Sequence, residues 1–221
     1  MREGKPIAAS LQHLVFYPDV SREEYPAIVA LHGRGADAPD LLPLVQAIGL
    51  DDALVIAPRA PLAFNFGGGY AWYDLGEEAM PDSQTLRSGL AMLQKFLIEL
   101  KEGYPISTQQ LLLLGFSQGT VMSYAVGLLK PNSIHRIVAL SGYIPHRSGL
   151  PLELHNLGGL DVFISHGAYD GIIPVKYGRE SAEMLSKAGA NVVYREYAMG
   201  HEVSQEALRD LSVWMRKAFQ E

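Results

Sequence analysis

The sequence predicts a three-layer α/β domain with a mostly parallel central sheet. Short apolar runs closed by glycine or proline recur along the chain, stretches of helical periodicity fill the gaps, and the two alternate from end to end. Strands covered on both faces read as continuous apolar runs rather than alternating ones. Strand–helix alternation builds a parallel sheet with helices on both sides, joined by right-handed crossovers. The chain has 221 residues, the length of one domain. Residues 1–221 are therefore expected as a single unit with no separate cap domain.

The elements follow in order. LQHLVFYP (11–18) alternates, which suits an outer strand. AIVALHG (27–33) is a buried strand breaking at glycine, and ALVIAPR (53–59) another ending at proline. Residues 62–76 fit neither template. Phe64, Phe66, Tyr70, Trp72 and Tyr73 are split by Gly67-Gly68-Gly69, so the stretch reads as an irregular loop. Between Ser83 and Gly103, Leu86, Leu90, Leu93, Leu97 and Leu100 recur at spacings of three and four. That is the apolar stripe of a helix, with Asp82 or Ser83 as its cap. QLLLLGFS (110–117) holds four successive leucines and reads as a central strand; a small, mostly apolar helix follows over 118–129. RIVALSG (136–142) and DVFISHG (161–167) repeat the strand form. NVVYREY (191–197) is more polar and nearer an edge. Helices with mixed apolar and charged faces are expected over 175–188 and 203–219. In the last, Val203, Ala207, Leu208, Leu211, Trp214, Met215 and Phe219 make the buried side. One such apolar run alone is compatible with buried helix; six of them, several β-rich and closed by Gly or Pro, decide for strands.

Composition excludes several classes of function. Lysine and arginine number 18 against 24 aspartates and glutamates, a net charge of −6. No net positive field attracts nucleic acid or an anionic membrane. No apolar run is long enough to span a membrane, and the first residues lack the apolar stretch of a signal peptide. With no cysteine, a disulfide framework, a thiol nucleophile and an iron–sulfur cluster are all excluded. The absence fits a reducing compartment, and a cytoplasmic location is expected. The seven histidines show neither H-x-x-x-H nor H-E-x-x-H spacing, and no phosphate-binding glycine loop is present. Neither a metal nor a cofactor is expected.

The strongest local signal is Gly115-Phe116-Ser117-Gln118-Gly119, a G-x-S-x-G turn between a strand and a helix. This is the nucleophile elbow, which lifts a serine hydroxyl clear of the sheet. Serine needs a base to take its proton, and the base needs an acid to orient it. In this architecture the chain order is Ser, Asp, His. Only His201 follows Asp170, and both sit after strands, at the carboxyl edge where open α/β sheets place their sites. Asp161, the rival acid, precedes its strand and should lie at the opposite edge. His166 reads as a packed or turn-bonded histidine. The oxyanion donors are then the backbone N–H of Gln118 and that of Arg34, in the loop Leu31-His32-Gly33-Arg34-Gly35-Ala36-Asp37. The Arg34 side chain either faces solvent or meets a substrate carboxylate. Phe64, Phe66, Trp72 and Tyr73 are candidates for an apolar substrate pocket, or else they cover the edge of the core.

Taken together, LHGRGAD (31–37), APRAP (57–61), AWYDL (71–75), GFSQG (115–119), LSGYIP (140–145), HGAYDGIIPV (166–175) and GHEVS (200–204) resemble the phospholipase/carboxylesterase family of small α/β-hydrolases. That family includes acyl-protein thioesterases and lysophospholipases, and the HGRG form is closest to its bacterial carboxylesterase-like members. The resemblance implies Ser117 as nucleophile, Asp170 and His201 as its partners, and the amides of Arg34 and Gln118 as oxyanion hole. It implies hydrolysis of a small-molecule ester through an acyl-enzyme, with no cofactor, and pairing into homodimers. A thioesterase or lysophospholipase would use the same residues. A binding protein on an inactive hydrolase scaffold is the alternative from another class.

Overall fold

All seven runs expected as strands form strands in the computed structural model, which describes residues 1–64, 67–76, 80–131 and 133–219. The strands are β1 (Arg2–Glu3), β2 (His13–Tyr17), β3 (Tyr25–Leu31), β4 (Leu54–Pro58), β5 (Leu62–Ala63), β6 (Tyr70–Ala71), β7 (Ile106–Phe116), β8 (Arg136–Leu140), β9 (Asp161–Gly167) and β10 (Asn191–Tyr197). The helices are α1 (Leu42–Ile48), entered through a 3₁₀ turn at Ala38–Leu41, α2 (Ser83–Gly103), α3 (Gln118–Leu129), α4 (Lys176–Lys187) and α5 (Gln205–Ala218).

The main sheet runs β1-β2-β4-β3-β7-β8-β9-β10. β2 is antiparallel to both β1 and β4, and the remaining pairs are parallel. The leucines of β7 show why its run is continuous rather than alternating. Leu111 and Leu113 face a core shared with α2, α3 and α4, whereas Leu112 and Leu114 face one shared with α1 and α5. Each buried leucine contributes about 1.5–3 kcal/mol, so both faces favour apolar residues. The polar run β10 is an edge strand, as its composition predicts. The result is a single domain, a mixed sheet flanked by helices.

Two pieces differ from the sequence reading. Helix α1 was not expected; its seven residues carry too few turns for periodicity to register. Its end signal is nevertheless present, since Gly49 closes it in the left-handed conformation at φ 72°. The stretch 62–76 is less irregular than expected, because Leu62 pairs with Ala71 and Ala63 with Tyr70 in a small hairpin.

Register gathers the site. Leu31 lies beside Gly115, Gly115 beside Ala139, Leu140 beside Ser165, and Gly167 beside Tyr197. The segments leaving β3, β7, β8, β9 and β10 therefore emerge together at the carboxyl edge. Among the described residues, no helix is long and apolar enough to cross a membrane.

Candidate active site

Ser117 follows the last residue of β7 and precedes the first of α3. Its backbone sits at φ 53°, ψ −116°, a region costly for any residue with a Cβ. The turn is held in place by flanking bonds. Ser117 N donates to Leu140 O at 2.9 Å, and Leu140 N donates to Thr120 Oγ1 at 3.0 Å. Close packing explains the glycine at 119: a Cβ there would lie 1.9 Å from Leu31 O, so α3 reaches β3 only without one. The amide of Gln118 stands at the N-terminus of α3, where the helix dipole favours negative charge.

Asp170 and His201 come from the loops after β9 and β10. Asp170 Oδ2 accepts from His201 Nδ1 at 2.8 Å. Asp170 Oδ1 accepts from the amides of Ile172 at 2.9 Å and Ile173 at 2.8 Å. Burial alone pushes the carboxyl upward, but the His201 bond and the Ile173 and Ile172 amides hold it below its ordinary value. The acid is thus ionised and occupies Nδ1, which leaves Nε2 of His201 as the basic nitrogen. The His201 ring packs on Phe116, the residue before the serine, with centroids 4.9 Å apart. Among the described residues, Ser117 Oγ makes no hydrogen bond. Catalytic hydrogen bonds often close only once substrate is bound. His166 is wholly buried in β9 and donates Nε2–H to Ile173 O at 2.8 Å, with Asp170 Oδ2 at 3.5 Å. It is a packed histidine beneath the Asp170 turn. Asp161 begins β9, at the end of the strand away from Ser117, and accepts from Asn191 Nδ2.

The loop after β3 is fixed by a histidine. His32 Nε2 accepts from Ala60 N at 3.0 Å, so the ring proton is on Nδ1, which donates to Gly33 O at 2.7 Å. Gly33 O and the Arg34 N–H belong to one trans peptide and point in opposite directions. Anchoring the carbonyl therefore aims the amide. Neither the Arg34 N–H nor the Gln118 N–H has an acceptor among the described residues. The loop is tied down further along as well. Gly35 N donates to Tyr70 O, and Tyr70 N donates to Ala36 O. Asp37 is gripped by Arg59 through two bonds of 2.7 Å.

An apolar groove of about 210 Å³ opens beside the Asp170 loop. Tyr143, Ile144 and Pro145, after β8, and Ile172, Ile173 and Tyr177, after β9, are among its lining residues. Ile172 is 72% exposed, unusual for an isoleucine and consistent with a rim residue.

A family model described as phospholipase/carboxylesterase matches residues 18–219. The chain belongs to the phospholipase/carboxylesterase family. It is 30% identical over 203 residues to "Acyl-protein thioesterase 1" of Debaryomyces hansenii, covering 83% of this chain and 87% of that protein. It is 27% identical over 215 residues to a "Probable carboxylesterase" of Oryza sativa subsp. japonica, covering 88% of this chain and 79% of that protein. The crystal structure of the Bacillus cereus carboxylesterase superposes with a TM-score of 0.83 at 25% identity, covering 94% of each chain. The chain is accordingly an esterase-type hydrolase.

Of the residues read from the sequence, His201 meets Asp170, and the segments carrying Ser117, Gln118 and Arg34 leave the same edge of the sheet, whereas the groove is lined by residues other than the described pocket candidates. Trp72 and Tyr73 do not line it. They are 0% and 1% exposed and belong to the core. Trp72 Nε1 donates to His32 O at 2.9 Å, and its own N donates to Gln118 Oε1 at 3.0 Å. Gln118 Nε2 returns a bond to Tyr73 O. These residues brace the elbow against the loop after β3. Phe64 lies under the Arg34 guanidinium, 4.6 Å from it. Phe66 lies outside the described residues. The groove walls that the sequence reading overlooked, 143–145 and 172–177, follow β8 and β9 and carry the motifs LSGYIP and IIP. Their position after strand ends was the available signal. Among the described residues, no group of three or more histidine, aspartate or glutamate side chains is placed to hold a metal ion.

Proposed function

We propose that the protein is a serine carboxylesterase acting through an acyl-enzyme. The observation that carries it is the 2.8 Å bond from His201 Nδ1 to the buried Asp170, with the His201 ring packed on Phe116, the residue before a serine held in a strained elbow. In this reading His201 Nε2 takes the proton of Ser117 as Oγ attacks the ester carbonyl. The amides of Arg34 and Gln118 stabilise the tetrahedral oxyanion, about 3–4 kcal/mol for each such donor. His201 then protonates the leaving alcohol, and a water activated by the same nitrogen releases the acid. No cofactor takes part. The groove beside Ile172 receives the apolar part of the substrate.

A thioester substrate is the second reading, favoured by the relative named as an acyl-protein thioesterase at 30% identity. The attacking serine and the oxyanion donors would be the same. A profile over 4-nitrophenyl esters from acetate to palmitate, with an acyl-CoA alongside, separates the two. Ser117→Ala is expected to lower ester turnover by at least about a thousandfold with folding intact. A serine-directed fluorophosphonate should label the wild type and not the variant. Turnover near wild-type level in Ser117→Ala would overturn the mechanism.

A further inference from the structure

Two arginines flank the oxyanion loop and are built alike. Arg59 lies over the ring of Tyr70 at 4.3 Å, and Arg34 lies over that of Phe64 at 4.6 Å. Stacking occupies the face of a guanidinium and leaves its in-plane N–H donors directed outward. In Arg59 those donors are used: Nε and one terminal nitrogen bind the two oxygens of Asp37 side by side, and the other terminal nitrogen binds Gln12. Arg34 has no such partner among the described residues. The residue is exposed, its guanidinium lies over the Phe64 ring, and no carboxylate among the described residues pairs with it.

Its location gives that open fork a meaning. The preceding residue, Gly33, abuts the serine: a Cβ built there would lie 3.5 Å from Ser117 Cβ. The Arg34 side chain therefore starts at the edge of the site, and the residue is exposed. Phe64 is itself set against Gly35 of the same loop, so the platform and the cation are fixed to one segment. A planar fork on an aromatic platform is pre-organised for bidentate binding of a carboxylate. On a chain of net charge −6, an anionic substrate meets general repulsion, and a cation at the mouth offsets it locally.

We propose that Arg34 is a specificity-determining residue, selecting esters that bear a carboxylate a few bonds from the scissile carbonyl. The inference rests on the esterase reading and adds the substrate class to it. The carboxylate pairs with the Arg34 fork in the arrangement that Asp37 makes with Arg59.

The test compares charged and neutral esters of matched size. On the acyl side the pair is mono-4-nitrophenyl adipate and 4-nitrophenyl hexanoate. On the alcohol side it is the hexanoyl ester of 4-hydroxybenzoate and that of its methyl ester. The readout is the ratio of kcat/KM, charged over neutral, which cancels any general effect of the substitution on the oxyanion loop. In Arg34→Gln the ratio is expected to fall about tenfold in one of the two pairs, with Arg34→Lys falling less. The wild-type ratio for that pair should also decline as salt is raised. A fall of about threefold or more supports the proposal. A smaller change in both pairs overturns it, as does a wild-type ratio indifferent to salt. If the wild type hydrolyses none of the four esters, the esterase reading itself fails and takes this one with it. Hydrolysis with an unaltered ratio removes only the role of Arg34.

Discussion

His32 touches no reacting atom in the proposed chemistry, yet its tautomer governs the oxyanion loop. Burial pushes its pKa down, so the ring stays neutral with one donor and one acceptor. The acceptor takes Ala60 N–H and the donor holds Gly33 O, and the Arg34 amide points away from that carbonyl as a consequence. His32→Phe keeps the ring's bulk and removes both bonds. The freed peptide no longer presents its N–H reliably, and loss of one oxyanion donor costs about a hundredfold in kcat. Leaving the Ala60 amide buried and unpaired costs a further ~1–3 kcal/mol of stability. Steady-state kinetics on a neutral ester should therefore show kcat falling with KM little changed. A raised KM at constant kcat would instead make His32 part of substrate binding.

At the scale of elements, helix α2 shows where propensity and packing disagree. Gly89 stands inside it, and by propensity alone Gly89→Ala should stabilise the helix by about 1 kcal/mol. However, a Cβ at that position would lie 2.2 Å from the carbonyl oxygen of Trp72. That neighbour is backbone, and it is fixed by the bond from Trp72 N to Gln118. Overpacking of this kind costs about 1–3 kcal/mol, so the variant is expected to be less stable than the wild type. Gly127→Ala in α3 is the comparison. There the nearest atom is Ile137 Cδ1 at 2.9 Å, the end of a flexible side chain. Urea midpoints should rank wild type above Gly89→Ala, with Gly127→Ala the milder of the two variants. A Gly89→Ala protein as stable as the wild type would mean the 72–73 segment yields freely. The helix itself was legible in the sequence because five leucines mark one face over many turns. The contact at Gly89 was not, since it joins a helix to a loop that no local pattern orients.

For the molecule as a whole, what the sequence disclosed followed from order along the chain, and what it withheld depended on direction in space. Strands ending in Phe116, Gly167 and Tyr197 put Ser117, Asp170 and His201 at one edge, because parallel strands share their carboxyl ends. The inward turn of Trp72 rests on a bond to His32 across 40 residues of chain. Nothing in an aromatic–glycine run says which way its rings face. The same buried histidines decide how the fold responds to acid. His13, His32 and His166 all have pKa values lowered from the ordinary 6.5, chiefly by burial. His166 has a buried Nδ1 without a partner among the described residues, so its protonation would bury an unpaired donor. Between 6.5 and the lower folded values, the unfolded chain binds more protons than the folded one. Stability is then complete above pH 6.5 and declines as pH falls through the folded values, by up to about 1.4 kcal/mol per pH unit for each histidine. The carboxylates act in a lower window. Asp170 and Asp37 are held below 3.8, and Glu196 is lowered to about 2 by Arg179. Their contribution is present above the unfolded values and is lost as pH falls through the folded ones. Thermal melts from pH 8 to 4 should therefore show a decline that begins near pH 6.5, before any carboxylate titrates. His13→Gln, remote from the candidate site, should make that first decline shallower. A Tm constant from pH 7 down to 5 would show that these rings are not held neutral by the fold.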